Sequence, residues 1–231
     1  GDAMRYPILL FDADNTLFDF VAAERDAFLA VCRETGLPFT ETLYDLYHRC
    51  NEELWEDFNA GKYTKDFLLV ERFRRYLCRS GLTGDPEAMN QIHLRALAES
   101  AVLFPDALKV CQSLAAHRRL YIITNAVASV QEARFASSPI TPCFQGFFIS
   151  ETVGCGKPER AYFDYVLAHI PGAKPEDCLV IGDSLTSDIQ GANNASLPCC
   201  WLNRSGKPRP EGLRINYEIR SLMELPSLLE E

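Results

Sequence analysis

Asp12 and Asp14 stand with one residue between them in Phe11-Asp12-Ala13-Asp14-Asn15-Thr16, where a short apolar run from Tyr6 to Phe11 ends. Side chains two positions apart in an extended strand point the same way. Two carboxylates aimed together repel unless a cation or a shared proton relieves them. A magnesium ion suits that need, because it takes hard oxygen ligands and keeps several of its waters. Thr16 adds a hydroxyl two residues on. An acidic turn after a strand would look the same, so this loop needs partners elsewhere in the chain.

Three further segments supply candidates. In Ile122-Ile123-Thr124-Asn125 a hydroxyl and an amide follow an apolar run. They can donate to an anion, or simply cap the next helix. In Gly156-Lys157-Pro158 a lysine precedes a helix start, where its charge and the positive helix end both favour a phosphoryl group. A surface lysine in a turn is the plain alternative. In Gly182-Asp183-Ser184-Leu185-Thr186-Ser187-Asp188 one carboxylate ends an apolar run and another follows five residues later. That pair can ligate a metal and orient its waters, or serve as a cap and an acidic first turn.

The elements that must position these residues can be read from the apolar pattern. Short runs at Tyr6 to Phe11, Leu120 to Ile123, Phe147 to Ile149, Leu179 to Ile181 and Cys199 to Leu202 read as buried strands, each followed by polar residues. Helical segments are expected from Pro105 to about His117, Val127 to Ala136, Pro158 to Ile170 and Thr186 to Ala195. Strands alternating with helices predict an α/β fold, a parallel sheet covered on both faces, with ligands at the carboxyl ends of the strands. The stretch from Ala22 to Leu103 has no convincing strand. Its Leu, Phe and Tyr residues recur at helical spacing, with breaks near Gly36-Leu37-Pro38, Gly61-Lys62 and Gly81 to Pro86, so about four helices are expected. Arg72, Arg74 and Arg75 read as a solvated helix face. An insertion of this length after a catalytic strand suits a lid or specificity element, or padding for the core.

In order and spacing, the four polar segments resemble the four motifs of the haloacid dehalogenase (HAD) superfamily, over nearly the whole chain. The resemblance implies a Rossmann-like core at 1–20 and 104–231, with a parallel sheet flanked by helices, and an all-helical cap of C1 type at 21–103. It implies Asp12 as nucleophile, forming an aspartyl-phosphate, and Asp14 as general acid and then base. Thr124, Asn125 and Lys157 would hold the phosphoryl group. Asp12, Asp14 through its backbone carbonyl, and Asp183 would bind Mg2+, with Thr16 and Asp188 in support. Relatives that cleave carbon–halogen bonds lack the second aspartate, so phosphoester hydrolysis is expected. One departure is Ala126, where the second motif usually continues with glycine.

A narrower resemblance is to the pyrimidine 5′-nucleotidase branch. It rests on Phe11 to Phe20, on Leu54-Trp55-Glu56-Asp57-Phe58 with Gly61, on Ile149-Ser150-Glu151 with Val153-Gly154, and on Cys200-Trp201-Leu202-Asn203. It implies a small phosphorylated metabolite, a nucleoside monophosphate, as substrate. The alternatives are a phosphatase of phosphoglycolate or a sugar phosphate, a sugar phosphomutase, and a non-enzymatic binding protein on a degenerate scaffold. The last is disfavoured because Asp12, Asp14, Lys157 and Asp183 are all retained. Phe18, Phe20 and Trp55 could stack on a base, or pack as ordinary core.

Composition narrows the partners. A net charge of −9 disfavours a general grip on nucleic acid, which needs a basic surface. No apolar run is long enough to span a membrane, and no secretory leader is expected from the first residues. Nine cysteines at scattered spacings, with no C-x-x-C pair, predict free thiols in a reducing, cytoplasmic setting.

Overall fold

The computed structural model describes residues 4–230. Two compact units divide the chain: one runs to Asp19 and resumes at Val102, and the other is Phe20–Ala101. In chain order the elements are β1 (Ile8–Phe11), α1 (Phe20–Thr35), α2 (Glu41–Asn59), α3 (Lys65–Ser80), α4 (Pro86–Glu99), α5 (Ala107–Ala115), β2 (Arg119–Thr124), α6 (Ala128–Ser137), β3 (Phe144–Ile149), α7 (Ser150–Val153), α8 (Arg160–Ala168), β4 (Cys178–Gly182), α9 (Gln190–Asn194), β5 (Cys199–Leu202), β6 (Tyr217–Ile219) and α10 (Leu225–Glu230).

The first unit is built on a parallel sheet of order β3-β2-β1-β4-β5-β6. This is the doubly wound arrangement, in which the strand order reverses beside β1. All four β1 residues are buried, and each such side chain removed from water is worth roughly 1.5–3 kcal/mol. Strand alternation divides them between the sheet faces. Ile8 and Leu10 join Ile123, Val180 and Trp201 in a cluster with Tyr162, Phe163 and Val166 of α8. Leu9 and Phe11 turn to the opposite face, where α5 packs on β2 and α10 packs on α5. Apolar cover on both faces is what a parallel sheet requires.

The second unit consists of α1 to α4, with starts set by local chemistry. Thr40 and Thr64 cap α2 and α3 by accepting from the amides of Leu43 and Phe67, and Asp85 followed by Pro86 opens α4. Gly81 closes α3 with a φ of 74°, the left-handed conformation that glycine adopts without steric cost. The core of this unit centres on Phe28, Tyr47 and Phe73, stacked with ring centroids 4.7 and 5.2 Å apart.

Several expectations need correction. Arg72 is not on a solvated face. It is buried, donating from Nη1 to Asn51 (3.1 Å), from Nη2 to Asn90 (3.0 Å) and from Nε to the Leu69 carbonyl (3.0 Å), while Asn51 donates to buried Glu24 (2.9 Å). The Arg72 and Glu24 charges thus sit in one hydrogen-bonded network, which makes their burial tolerable. Arg74 is exposed, as expected, Arg75 is half-buried, and both pair with Glu71. Pro158 lies in a turn after a cis Lys157–Pro158 bond, and α8 begins only at Arg160. The segment expected as one helix from Thr186 is a π-helical turn, Leu185–Ile189, followed by α9. Strand β6 escaped the sequence reading because Tyr-Glu-Ile is short and half polar. The loop after α6 is anchored by buried Ile140 and by Thr141, whose hydroxyl donates to the Phe135 carbonyl.

Candidate active site

The carboxyl ends of β1, β2 and β4 meet where the strand order reverses. Asp12 leaves β1 with its amide donating to the Ile181 carbonyl of β4 (2.9 Å). Ala13 to Phe18 then fold into a tight turn closed by Leu17 and Phe18 amides on the Ala13 carbonyl (2.8 and 3.0 Å). Asn15 takes a φ of 62°, which asparagine tolerates better than most residues. Arg204 braces this turn from behind, donating to the carbonyls of Asn15 and Thr16 while its guanidinium lies 3.5 Å from the Phe104 ring centroid.

Both oxygens of the buried Asp12 carboxylate are engaged. Lys157 Nζ donates to Oδ1 (2.9 Å) and Thr16 Oγ1 donates to Oδ2 (3.1 Å). Lys157 also donates to Asp188 Oδ1 (2.6 Å) and to the Ile123 carbonyl (3.0 Å). Its backbone is held by Asn125, whose amide donates to the Lys157 carbonyl (2.7 Å) and whose oxygen accepts the Lys157 N–H (2.9 Å). Asn125, expected as a phosphate ligand, is thus first a bracket for Lys157. Gly156 makes the bracket possible, since a Cβ there would stand 2.6 Å from Asn125 Oδ1.

Asp183 and Asp188 complete an acidic group with Asp12. The three offer carboxylate oxygens that all lie within 4.8 Å of one another. Asp188 sits in the π turn, where its Oδ2 accepts the Ser184 amide (3.2 Å). The Asp183 carbonyl accepts from the Trp201 indole (3.1 Å). Burial, then Asp12 and Asp188, push the Asp183 carboxyl well above its ordinary range. Burial and Asp12 push Asp188 up to about 7, against the pull of Lys157. Burial alone would lower the Lys157 ammonium, but Asp12 and Asp188 outweigh it and the net direction is upward. Three carboxylates, Asp12 and Asp188 buried and Asp183 half-buried, beside one ammonium carry surplus negative charge, and their hard oxygens fit a divalent cation such as Mg2+.

Asp14 stands apart from that group. Its carboxylate turns to α6, accepting from Arg134 and from Gln131 Nε2 (3.2 Å), so any hold it has on a metal falls to its backbone carbonyl. Asp188, expected only in support, takes the third carboxylate place. Burial raises the Asp14 pKa, Arg134 opposes that rise, and Asp12 adds to it. Thr124 Oγ1 accepts from Gln131 Nε2 (2.9 Å) and from the Ala126 amide (3.2 Å). With both acceptor positions filled, the Thr124 hydroxyl hydrogen is left to donate to an anion.

Gln131, Arg134 and Arg204 were missed in the sequence. The first two fall with Val130 and Phe135 on the buried stripe of α6, where polar residues need partners, but two apolar residues are too short a stripe to mark them in the sequence. Phe18 packs as core against Phe135 (5.1 Å) and beneath the Arg134 guanidinium (4.3 Å).

Comparison with known proteins agrees with this architecture. The haloacid dehalogenase-like hydrolase family matches residues 6–196. The pyrimidine 5′-nucleotidase PynA of Streptococcus pneumoniae (strain ATCC BAA-255 / R6) is 34% identical over 229 residues, covering 99% of this chain and 97% of PynA. The pyrimidine 5′-nucleotidase YjjG of Escherichia coli (strain K12) is 32% identical over 229 residues, covering 98% and 99%. A crystal structure of the HAD-hydrolase YfnB from Bacillus subtilis bound to magnesium superposes with a TM-score of 0.94 at 38% identity, covering 98% of this chain and 100% of that one. The chain belongs to the haloacid dehalogenase-like hydrolases. It is an enzyme, and its relatives set it among the phosphatases of that family.

Proposed function

We propose that this enzyme hydrolyses nucleoside 5′-monophosphates, pyrimidine nucleotides foremost, through an aspartyl-phosphate on Asp12. The observation that carries the chemistry is the restraint of Asp12: a buried carboxylate fixed by Lys157 on one oxygen and Thr16 on the other, beside two more carboxylates. The substrate class rests on the two nucleotidases that match along nearly their whole length.

A carboxylate oxygen of Asp12 forms a bond to phosphorus as the ester P–O bond breaks, and the departing ribose oxygen takes its proton from Asp14. Water then attacks the phosphorus of the aspartyl-phosphate, giving a proton to Asp14, as the Asp12 O–P bond breaks; inorganic phosphate leaves and the Asp12 carboxylate is restored. Lys157 and the Thr124 hydroxyl hold the transferring oxygens, since phosphoryl transfer depends mainly on positioning and charge neutralisation. Asp12, Asp183 and Asp188, with the Asp14 carbonyl, would hold Mg2+, which when bound neutralises charge on the phosphoryl group. The helical unit Phe20–Ala101 is proposed as the cap that selects the substrate. Nine free cysteines fit a reducing cytoplasm.

Phosphate release from dUMP, dTMP, UMP, purine nucleotides, phosphoglycolate and hexose phosphates, with Mg2+ and with EDTA, tests the reading. Release from the pyrimidine nucleotides, stopped by EDTA and restored by Mg2+, is expected. Turnover confined to sugar phosphates, or isomerisation without net release, would overturn it.

A further inference from the structure

The Asp14 carboxylate is held from outside its own loop. Its carboxylate receives both side chains from one face of α6, Gln131 and Arg134, three residues apart and therefore neighbours on the helix. Both are fully buried, in a stripe otherwise filled by Val130 and Phe135. Arg134 also donates to Gln131 Oε1 (3.2 Å), which fixes the orientation of the Gln131 amide. The oriented Nε2 then reaches Thr124 Oγ1 and Asp14 Oδ2 together, at 2.9 and 3.2 Å. One amide group therefore joins the hydroxyl at the end of β2 to the carboxylate after β1. Burying a glutamine and an arginine on an apolar stripe is costly unless their hydrogen bonds are made, so this arrangement needs a reason beyond packing.

We propose that Gln131 and Arg134 are positioning residues that set the Asp14 carboxyl in register with the phosphoryl group at Thr124, for proton delivery to the leaving oxygen. The inference rests on the reading of Asp14 as the acid. Arg134 fixes one Asp14 oxygen through a charge-assisted bond. Gln131 fixes the other and sets its distance from Thr124. Both side chains are closed to solvent, so each acts through Asp14. Loss of either leaves the nucleophile, the lysine and the acidic group as they were.

That division gives a readout which a merely structural role would not move. A ribose alkoxide needs a proton as its P–O bond breaks; a p-nitrophenolate does not. The quantity to measure is kcat/KM for the best nucleotide, or the best alkyl phosphomonoester if no nucleotide is turned over, divided by kcat/KM for p-nitrophenyl phosphate. General acid catalysis contributes about 10²–10⁴-fold, so the ratio in Gln131→Leu should fall by roughly 10–100-fold. Arg134→Lys, which keeps the charge but not the planar fork, should lower the ratio less than Arg134→Met. Gln131→Leu preserves the apolar stripe and the Arg134–Asp14 pair, and a cooperative thermal melt checks its fold. Asp14→Asn supplies the benchmark fall. A wild-type ratio in Gln131→Leu, whether both activities drop together or neither drops, would overturn the positioning role while Asp14→Asn keeps its own fall. An unchanged ratio in Asp14→Asn would remove the acid assignment, and the positioning role with it.

Discussion

Gly182 ends β4 one residue before Asp183, and the space where its side chain would be is taken by Asp188. A Cβ built there would stand 2.2 Å from Asp188 Oδ2, 2.4 Å from its Cγ and 2.7 Å from its Cβ. These contacts are far inside van der Waals distance, so in Gly182→Ala the Asp188 side chain must move by about 1 Å or more. The φ of Gly182 is not in the left-handed region, so alanine brings steric conflict without backbone strain. Asp188 cannot move freely, because it holds Lys157 at 2.6 Å and the Ser184 amide at 3.2 Å. Overpacking of this kind costs about 1–3 kcal/mol. For a chain of this size each kcal/mol lowers Tm by about 2–4 °C, so a fall of roughly 2–12 °C is expected. The larger effect should be catalytic. Displacing a carboxylate of the acidic group should weaken the apparent Mg2+ affinity by about 10–100-fold. Thermal melts and a Mg2+ titration of phosphate release measure the two effects. A Gly182→Ala protein that melts within a degree of wild type and titrates identically would refute the claim that this glycine exists to admit Asp188.

Asp12→Asn should abolish turnover and trap no acid-stable phosphoryl label; residual activity near the wild-type rate would remove the nucleophile assignment. Arg72→Met leaves Glu24 buried without its counter-charge, and breaking a buried pair costs about 3–5 kcal/mol; urea unfolding should show it, and a change below about 1 kcal/mol would place the network's strength elsewhere. Because the Asp188 pKa is raised from 3.8 to about 7, the metal-free fold binds more protons there than the unfolded chain. That contribution to stability is present in full below pH 4 and is lost as pH rises through about 7. The Tm gain on adding Mg2+ should therefore grow between pH 5.5 and 8, and a gain that shrinks would contradict the sign.

Strand ends were the most legible part of the chemistry. Asp12 and Asp183 each follow an apolar run whose length marks a buried strand, so their convergence follows from a parallel sheet alone, whereas Lys157 comes to them on the loop between α7 and α8. The side chains that orient them were not legible in the same way. Gln131 and Arg134 lie on a helix whose apolar stripe is too short to show that two polar members are buried. Arg72 fell into a run of charges, Glu71 to Arg75, that looks solvated until Asn51, Asn90 and Glu24 from other helices are brought to it. Tertiary partners decide the burial of such groups, and a linear pattern does not carry them. Pro158 was misplaced because a proline before helical periodicity reads as a first turn, whereas here it closes the loop that presents Lys157.

The position of β1 between β2 and β4 also sets when the enzyme can come into being. During synthesis Ile8 has no partner until Arg119 is made, and no second neighbour until Cys178. Helices α1 to α4, which depend on nearer contacts, can form while the first strand waits. The strand that carries the nucleophile is thus made before both of its neighbours, yet is paired on both sides only late. Closing those long loops has an entropic cost before contacts repay it. A growing chain therefore cannot assemble the acidic group until Asp188, beyond β4, is made, and β1 lacks its second neighbour for most of that time.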